Sequence, residues 1–455
     1  MSNETPIDRQ PFPIDEAALE RMFAWAQERI INGPDPRNGA QDIDVLRKSL
    51  SSAITERGMT GEDAFSLFAD VIAPSTRPFN HPTSLAFVAA APTPASFGMD
   101  VVLGAAEIFA GNWDGGSGAI HAENQALAWL AGLAGWPDSA GGVFVSGGTM
   151  GNLSALHAAR VRCLKNLDSK PARWQILCSV EAHSSIAAAA SVMDADLVKV
   201  PTDTHGRMSA QDASDALFAT DGVFVVVANA GATNCGAVDD IAGLANLARE
   251  HNIWLHVDGA YGLAALASPD MCGEFAGIEL ADSFIVDPHK WLFAPYDSCA
   301  LVYRNPLDGA QAHGQQGAYL DTLDHGQWNP SDYALHLTRR ARGLPLWFSL
   351  VTYGTAAYAH AIDRTCLIAQ RIADGIDSMN GLELILGPQL TVILFRATEV
   401  GDQSIDDWAE KQRRSGALLC LPTTWDNEKV LRICVVNPQT DPVHVLTVLK
   451  TLTSA

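Results

Sequence analysis

The chain lacks the features that mark several classes of protein. Its 455 residues include eight cysteines but no C-x-x-C pair, and its histidines form no metal-binding signature, so neither a disulfide framework nor a metal site is indicated. Basic residues are scarce, 30 against 52 acidic ones, and the net charge of −22 argues against nucleic acid or an anionic membrane as partner. No apolar run is long enough to span a bilayer, and the polar N-terminus carries no secretion signal. We therefore expect a soluble, cytoplasmic protein.

The pattern along the chain predicts an α/β protein with smaller additions. Between about 98 and 305, short β-rich runs alternate with Ala- and Leu-rich helical stretches, which favours a mostly parallel sheet. An amphipathic helix is predicted from Asp15 to Ile31, and one long helix from Trp347 to Asn380 opens a small α+β C-terminal domain. The predicted strands are 143–147, 174–180, 196–200, 223–229, 253–258, 283–287, 299–303, 382–386, 391–396 and 429–436. The predicted domains are 1–97, 98–344 and 345–455.

A lysine and a carboxylate follow two of these predicted strands. Lys290 stands in the run Asp287-Pro288-His289-Lys290-Trp291, 32 positions after Asp258 in His256-Val257-Asp258-Gly259-Ala260-Tyr261. An enzyme that holds pyridoxal 5'-phosphate needs an amine for a Schiff base and an anion for the pyridinium nitrogen. Taken singly, such a lysine or aspartate is more often an ordinary strand-end or turn residue.

A glycine turn upstream could hold a phosphate. Val143 to Val145 is a β-rich run that enters Ser146-Gly147-Gly148-Thr149, and an Ala- and Leu-rich stretch follows. Glycines allow close backbone approach, and a helix N-terminus offers unpaired N–H groups, so Gly148 and Thr149 are candidate phosphate ligands. An ordinary βα loop remains open, because the run spells neither the P-loop nor G-x-G-x-x-G.

His183 follows another apolar run, in Ala182-His183-Ser184-Ser185. A histidine at a strand end could lie on a cofactor ring and move a proton, since imidazole titrates near neutrality. A hydrogen-bonded structural histidine is the alternative.

The order of these motifs resembles the group II pyridoxal-phosphate-dependent amino-acid decarboxylases, which include aromatic-L-amino-acid, glutamate, cysteine-sulfinate and diaminobutyrate enzymes. The resemblance extends from about residue 14 to the end of the chain. Further matching segments are His81-Pro82, Phe87 to Thr93, Arg339 to Trp347 and Leu431 to Pro438.

The resemblance implies a fold and a set of roles. The fold is that of fold-type-I enzymes, with an aspartate aminotransferase-like large domain, and the N-terminal helix of such enzymes wraps a partner in a homodimer. Lys290 is implied as the aldimine lysine and Asp258 as the partner of the pyridinium nitrogen. The other implied cofactor contacts are Ala260 under the ring, His183 stacked on its other face, Thr233 beside the ring hydroxyl, and Gly148, Thr149 and His289 at the phosphate.

The resemblance leaves the proton donor and the substrate open. A loop tyrosine protonates the carbanion in this family, and the corresponding stretch from Gln315 offers Tyr319 and Tyr333. Aromatic-acid members carry aromatic residues where this chain has Ala90 and Ala91, which suggests a wider pocket or one shaped for a different side chain. Arg339, Arg340 and Arg342 could form an anion clamp or a solvated cluster, whereas Arg432 in an apolar strand requires an anion partner.

We expect a decarboxylase that acts on an L-α-amino acid, aromatic or otherwise bulky, and releases an amine and carbon dioxide. Acidic and diamino substrates remain open. The main alternative is an aldehyde-forming decarboxylative oxidase or another lyase with the same cofactor. A catalytically silent homologue should have lost Lys290, Asp258 or His183, and a nicotinamide dehydrogenase should carry the missing glycine fingerprint.

Overall fold

The computed structural model describes residue 12, residues 14–315 and residues 326–453. Its larger sheet has seven strands in the order β1-β7-β6-β5-β4-β2-β3, and β7 runs antiparallel to both of its neighbours while the other pairs are parallel. The strands are β1 (Gly141–Val145), β2 (Trp174–Ser179), β3 (Ala195–Val200), β4 (Val223–Asn229), β5 (Trp254–Asp258), β6 (Ser283–Val286) and β7 (Cys299–Tyr303).

Helices precede the sheet and connect its strands. The helices before the sheet are α1 (Glu16–Asn32), α2 (Ile43–Ser49), α3 (Gly61–Leu67), α4 (Pro94–Ala106) and α5 (Trp113–Leu133). The connecting and following helices are α6 (Gly148–Lys165), α7 (Ser184–Val192), α8 (Ala210–Phe218), α9 (Ile241–Glu250) and α10 (Pro306–His313). Short 3-10 and π segments lie at Phe68–Ile72, Ala73–Ser75, Gly262–Ala267, Cys272–Phe275, Ile278–Leu280 and Pro330–Asp332.

Both faces of the large sheet are buried, as a parallel sheet requires. In β4, Val226 and Ala228 belong to the core on one face, and Val225 and Val227 belong to the core on the other. Short polar side chains set where the connecting helices begin: the Asp240 carboxylate caps α9 by accepting from the N–H of Gly243. Apolar strands and capped helices together fix where each strand ends.

A second, antiparallel sheet of four strands lies in the C-terminal part, in the order β10-β11-β9-β8. Its strands are β8 (Leu382–Gln389), β9 (Val392–Ala397), β10 (Leu421–Trp425) and β11 (Glu428–Cys434), and its helices are α11 (Leu344–Tyr353), α12 (Thr355–Asp377), α13 (Asp402–Ser415) and α14 (Pro442–Leu449). A large, mostly parallel sheet with helices plus this small sheet confirms the predicted fold class. The proposed domain boundaries stay predictions.

Two local predictions in this region were wrong. The single helix predicted from Trp347 to Asn380 is broken between α11 and α12 at Gly354, whose φ of 80° lies in the left-handed region that glycine adopts without strain. Strand β10 was missed because it contains Pro422, and proline in a strand is confined to an edge, which is where β10 lies.

Candidate active site

The carboxyl ends of the parallel strands surround a cavity of about 290 Å³. Asp258 ends β5 and pairs in register with Asn229, which ends β4. Gly147 and Gly148 follow β1, and Lys290 lies just beyond β6. Open α/β sheets bind their ligands at this edge, because loops from several strands converge there. The full lining is Gly147, Gly148, Thr149, Asn152, His183, Ser185, Asn229, Gly231, Ala232, Thr233, Asp258, Ala260, Tyr261, Asp287, His289 and Lys290.

The glycine turn forms one end of this cavity. Helix α6 begins at Gly148, so its first N–H groups have no partner within the helix and face the end where Thr149 also lies. A Cβ atom at Gly148 would lie 3.3 Å from Asp287 Oδ2 and 3.4 Å from the Cβ of Ala260, so a larger residue would crowd the cavity. The His289 ring lies nearby, and its Nδ1 accepts from the N–H of Ser298 at 3.0 Å.

Lys290 is paired with a buried carboxylate. Its Nζ lies 3.0 Å from Asp287 Oδ2, and the Asp287 side chain is 2% exposed. Burial opposes a charge on Lys290, but the attraction of Asp287 and Asp258 outweighs burial and raises the pKa of the amine. The amine therefore carries a proton in the free protein, with Asp287 as its counter-ion.

Asp258 is held by hydrogen bonds in the floor of the cavity. Its Oδ2 accepts from Asn152 Nδ2 at 2.9 Å, and its Oδ1 accepts from the N–H of Ala260 at 3.3 Å. The residue is 7% exposed, so its carboxylate is largely removed from water while its side chain still lines the cavity. Such a carboxylate can hold a proton on a ring nitrogen that enters the cavity.

His183 and Thr233 also line a second cavity, of about 410 Å³, that adjoins the first. Its other lining residues are Ala86, Phe87, Val180, Glu181, Ala182, Ser184, Asn234, Leu421, Pro422, Thr423 and Arg432. Arg432 is buried on β11 and donates to the backbone oxygens of Phe87 and Asn234. Within the described ranges, its Nη2 atom has no hydrogen-bond partner. The second cavity thus exposes more apolar than polar surface, and its wall carries both the Glu181 carboxylate and the buried Arg432 guanidinium.

The arginine run before α11 does not form a shared anion clamp. The buried Arg339 donates to both oxygens of Glu123, Arg340 pairs with Asp100, and Arg342 pairs with Asp297. Each guanidinium already has its own carboxylate. The clamp interpretation was therefore wrong, and so was the solvated interpretation for Arg339, because its side chain is fully buried.

The structure brings the predicted cofactor contacts to one place. The lining of the first cavity includes Gly148, Thr149, His183, Thr233, Asp258, Ala260, His289 and Lys290. Tyr333 is not among the lining residues: its ring stacks on Trp328 with centroids 4.1 Å apart, and burial raises the pKa of its phenol to about 12. Tyr319 lies outside the described residues. Ala90 is buried, and neither it nor Ala91 lines either cavity.

Sequence reasoning missed Asp287, Asn152 and Asn229 as site residues. Asp287 stands three positions before Lys290, a spacing that can bring two side chains together in a single turn, and this signal was available. Asn152 stands three positions after Thr149, on the same side of α6. Asn229 carries no sequence signal, because its place beside Asp258 depends on the pairing of β4 with β5.

The cavity is chemically suited to pyridoxal phosphate. Two residues of its lining, Asp287 and Asn229, each have a buried polar atom, Oδ1 and Nδ2, that has no hydrogen-bond partner in the part of the chain that the structure describes. Buried polar atoms are normally bonded, so such orphans indicate a missing partner. An amine, a buried carboxylate and a helix N-terminus around one cavity suit the aldehyde, ring nitrogen and phosphate of this cofactor.

Fold and site together define a fold-type-I pyridoxal-phosphate enzyme. A profile of the pyridoxal-dependent decarboxylase conserved domain matches residues 45–398. The chain is 32% identical to the aromatic-L-amino-acid decarboxylase of Bacillus atrophaeus, over 90% of this chain and 88% of that protein. It is 28% identical to the L-2,4-diaminobutyrate decarboxylase of Acinetobacter baumannii, over 84% and 79% of the two chains. It superposes on Oryza sativa TDC with PLP and tryptamine with a TM-score of 0.90, 21% identity and 98% coverage of both chains.

The chain therefore belongs to the pyridoxal-dependent decarboxylase family. It is an amino-acid decarboxylase, and pyridoxal phosphate is its cofactor. These findings confirm the predicted family, enzyme class and cofactor. In the described part of the chain, no helix combines the length and apolarity that crossing a bilayer demands.

Proposed function

We propose that the enzyme removes the α-carboxylate of an aromatic or similarly bulky L-amino acid and releases the corresponding amine. The observation that carries this substrate class is the second cavity, whose wall beside His183 exposes more apolar than polar surface and includes the buried Arg432, whose Nη2 has no partner within the described ranges. The relationship to an aromatic-L-amino-acid decarboxylase at 32% identity supports the same class. Diaminobutyrate is the alternative that the experiment below includes.

Lys290 is proposed as the residue to which the cofactor is attached. Until attachment, Asp287 stabilises the positive charge of the Lys290 amine. An amine attacks an aldehyde only when it is unprotonated, so the 3.0 Å ion pair must transfer or release a proton first. Bound pyridoxal phosphate supplies the electron sink for the electron pair left when the bond to the carboxylate breaks. Asp258 is proposed to keep the ring nitrogen protonated, which that sink requires.

Arg432 is proposed to bind the substrate's α-carboxylate. Its guanidinium is buried, its Nη2 is unpaired within the described ranges, and it shares the wall of the second cavity with His183. A buried guanidinium whose bonded partners are neutral carbonyl oxygens is costly, so a carboxylate is the natural partner. Holding that group fixes which bond to the α-carbon stands in position to break, and His183 lies close enough to both cavities to contact the reacting centre.

The remaining roles are proposals of the same kind. Gly148, Thr149 and His289 are proposed to contact the phosphate, Ala260 and His183 to contact the two faces of the ring, and Thr233 its hydroxyl. The proton-donor role of Tyr319 or Tyr333 stays a prediction, and the position of Tyr333 on Trp328 does not support it for that residue.

A homodimer is proposed from the apolar surface of the N-terminal part. Leu19, Phe23 and Ile31 on α1 and Ile43 and Val45 on α2 are exposed. Eight free cysteines, most of them buried or half-buried, support a cytoplasmic location.

The proposed function is tested by incubating the loaded enzyme with a panel of the common L-amino acids plus diaminobutyrate and cysteine sulfinate. Carbon dioxide, oxygen consumption and the mass of the second product are measured together. We expect carbon dioxide and the amine from an aromatic amino acid, without oxygen uptake. Turnover confined to diaminobutyrate would overturn the substrate class, and aldehyde with oxygen uptake would place the enzyme in the oxidative branch.

A further inference from the structure

A chain of buried hydrogen bonds leads from the large sheet to the cavity. Trp254 Nε1 donates to Ser283 Oγ at 2.8 Å, Ser283 Oγ lies 2.8 Å from His256 Nδ1, and His256 Nε2 lies 2.9 Å from Asn152 Oδ1. All four side chains are at most 1% exposed. Four polar side chains buried this deeply and fully connected to one another form a rigid unit.

The chain divides at Asn152. One amide nitrogen, Nδ2, lies 2.9 Å from Asp258 Oδ2 and 2.9 Å from Ser185 Oγ. Ser185 Oγ in turn lies 2.9 Å from His183 Nδ1. A single buried amide therefore connects the carboxylate and the imidazole that both line the cavity.

The direction of the inner bonds depends on which way the Asn152 amide is turned. The indole N–H can only donate, so Ser283 Oγ accepts from Trp254, and its hydroxyl proton can still be donated to His256 Nδ1. With Asn152 Oδ1 turned toward His256, the proton of the ring is on Nε2, which donates to that oxygen. Burial lowers the pKa of His256 to about 4, so the ring is neutral at pH 7.

The outer end determines the orientation of that amide. An ionised Asp258 can only accept, so Asn152 must turn its NH₂ group toward it and its oxygen toward His256. The backbone N–H of Ser185 donates to His183 Nδ1 at 3.2 Å, so that nitrogen carries no proton. In the neutral ring of His183 the proton is therefore on Nε2.

We propose that Asn152 is a positioning residue that sets the orientation of Asp258 and the tautomer of His183 at once. Through the buried relay of Trp254, Ser283 and His256, it keeps one carboxylate oxygen of Asp258 in place and, through Ser185, keeps His183 as an Nε2–H donor. His183 thus presents an N–H rather than a lone pair where the two cavities adjoin. This inference rests on the proposed function, because it assigns a task to residues of that site.

Variants separate the two arms of the relay. Asn152→Leu removes both, Ser185→Ala removes the hydroxyl arm to His183, and His256→Gln keeps an amide donor for Asn152. Ser154→Ala is the matched control, since Ser154 is buried two residues further along α6 and its hydroxyl bonds to the N–H of Leu335 instead. The readouts are the dissociation constant of pyridoxal phosphate, the pH dependence of its bound absorption spectrum, kcat, KM and the Tm of the cofactor-free protein.

We expect Asn152→Leu to raise the cofactor dissociation constant at least tenfold and to shift the pH dependence of the absorption spectrum of bound pyridoxal phosphate. Ser185→Ala should lower kcat at least tenfold with the dissociation constant within threefold of wild type. His256→Gln, which keeps an N–H donor for Asn152, should show a much smaller loss than Asn152→Leu. A spectrum, affinity and kcat in Asn152→Leu equal to those of Ser154→Ala would overturn the proposal. The proposal would also be overturned if the losses of cofactor affinity and kcat in every variant simply followed a lowered Tm.

A second measurement does not depend on any variant folding. Neutron diffraction from cofactor-free crystals of the wild-type enzyme should show deuterium on Nε2 of both His183 and His256. Deuterium on Nδ1 of either ring would overturn the relay, whatever the activity. Conversely, a wild-type enzyme that binds pyridoxal phosphate yet releases no carbon dioxide from any amino acid would refute the proposed function. The neutron result would still decide whether the relay exists.

Discussion

Lys290 Nζ and Asp287 Oδ2 form an ion pair at 3.0 Å, with the carboxylate almost completely removed from water. A buried cation needs a counter-ion, and here that counter-ion lies three residues earlier in the same turn. The pair explains how an amine can remain in an enclosed cavity before a ligand arrives. It also means that the charge of Lys290 depends on Asp287.

Replacing Asp287 by Asn should therefore change how the protein takes up its cofactor. Burial already disfavours the charged amine, and the two carboxylates Asp287 and Asp258 raise its pKa. Removing one of them should lower that pKa, so covalent attachment of added pyridoxal phosphate should occur at a lower pH. Stopped-flow absorbance of cofactor-free protein across pH 6 to 10 measures this. The control is Asp297→Asn, which alters a more exposed carboxylate paired with Arg342. If the pH dependence of cofactor attachment were unchanged in Asp287→Asn, Asp287 would not be the counter-ion of Lys290.

Arg432 should discriminate between substrate and product. The amino acid carries the carboxylate that Arg432 is proposed to bind, whereas the amine lacks it. A hydrogen bond to a charged group contributes about 1.5–3 kcal/mol, so Arg432→Met should weaken amino-acid binding roughly 10- to 100-fold. Inhibition by the amine should change less than threefold. Equal losses for both compounds would mean that Arg432 acts on the fold through its bonds to Phe87 and Asn234 instead.

The buried pair of Arg339 and Glu123 should be essential for stability. Both side chains are almost fully buried, and Glu123 also accepts from the N–H of Gly343. Removing one member leaves an uncompensated buried charge, so Glu123→Gln should cost about 3–5 kcal/mol in the free energy of unfolding. The comparison is Arg47→Ala, which breaks an exposed pair with Asp44 and should cost less than about 1 kcal/mol. Chemical denaturation at fixed protein concentration measures both, and similar costs would refute the prediction.

His256 should make stability depend on pH below neutrality. Burial lowers its pKa in the folded protein to about 4, below the 6.5 of an unfolded chain. Between these values the unfolded chain binds a proton that the folded chain excludes, so this contribution is present above pH 6.5 and is lost as pH falls toward 4.

The comparison of wild type with His256→Gln isolates this effect from other titrating groups. The stability advantage of wild type should fall by up to about 1.4 kcal/mol per pH unit over that window. Exposed His121→Gln is the control. A difference that does not change with pH would mean that His256 has the same pKa in the folded and the unfolded chain, and it would also remove one support for the relay.

The chemistry of the site could largely be predicted from the sequence, because its parts lie at strand ends. Lys290, Asp258 and Gly148 each follow an apolar run, and a parallel sheet brings such positions to one edge. Asp287 and Asn152 could not be assigned with the same ease. An aspartate beside a lysine is common in turns, and the contact of Asn152 with Asp258 depends on how α6 packs against the sheet.

Tertiary context also explains the errors of secondary structure. Gly354 breaks a continuous helical pattern only because its backbone is left-handed there, and a single glycine within such a pattern does not by itself reveal this. Arg339 gave no sign of burial in a run of three arginines. Its partner Glu123 lies on α5, more than two hundred residues away in sequence, and only the fold brings them together.

We propose that this enzyme replaces the α-carboxylate of its amino acid with a proton, through a cofactor attached to Lys290. The most direct measurement is turnover of the best panel substrate in D₂O, with the wild type compared with Lys290→Ala and with Lys199→Ala, a lysine outside both cavities. We predict one carbon dioxide for each amine, one non-exchangeable deuterium at the former α-carbon, and no turnover in Lys290→Ala alone. Amine formation that persists in Lys290→Ala at the wild-type rate, or aldehyde as the sole product of the wild type, would contradict it.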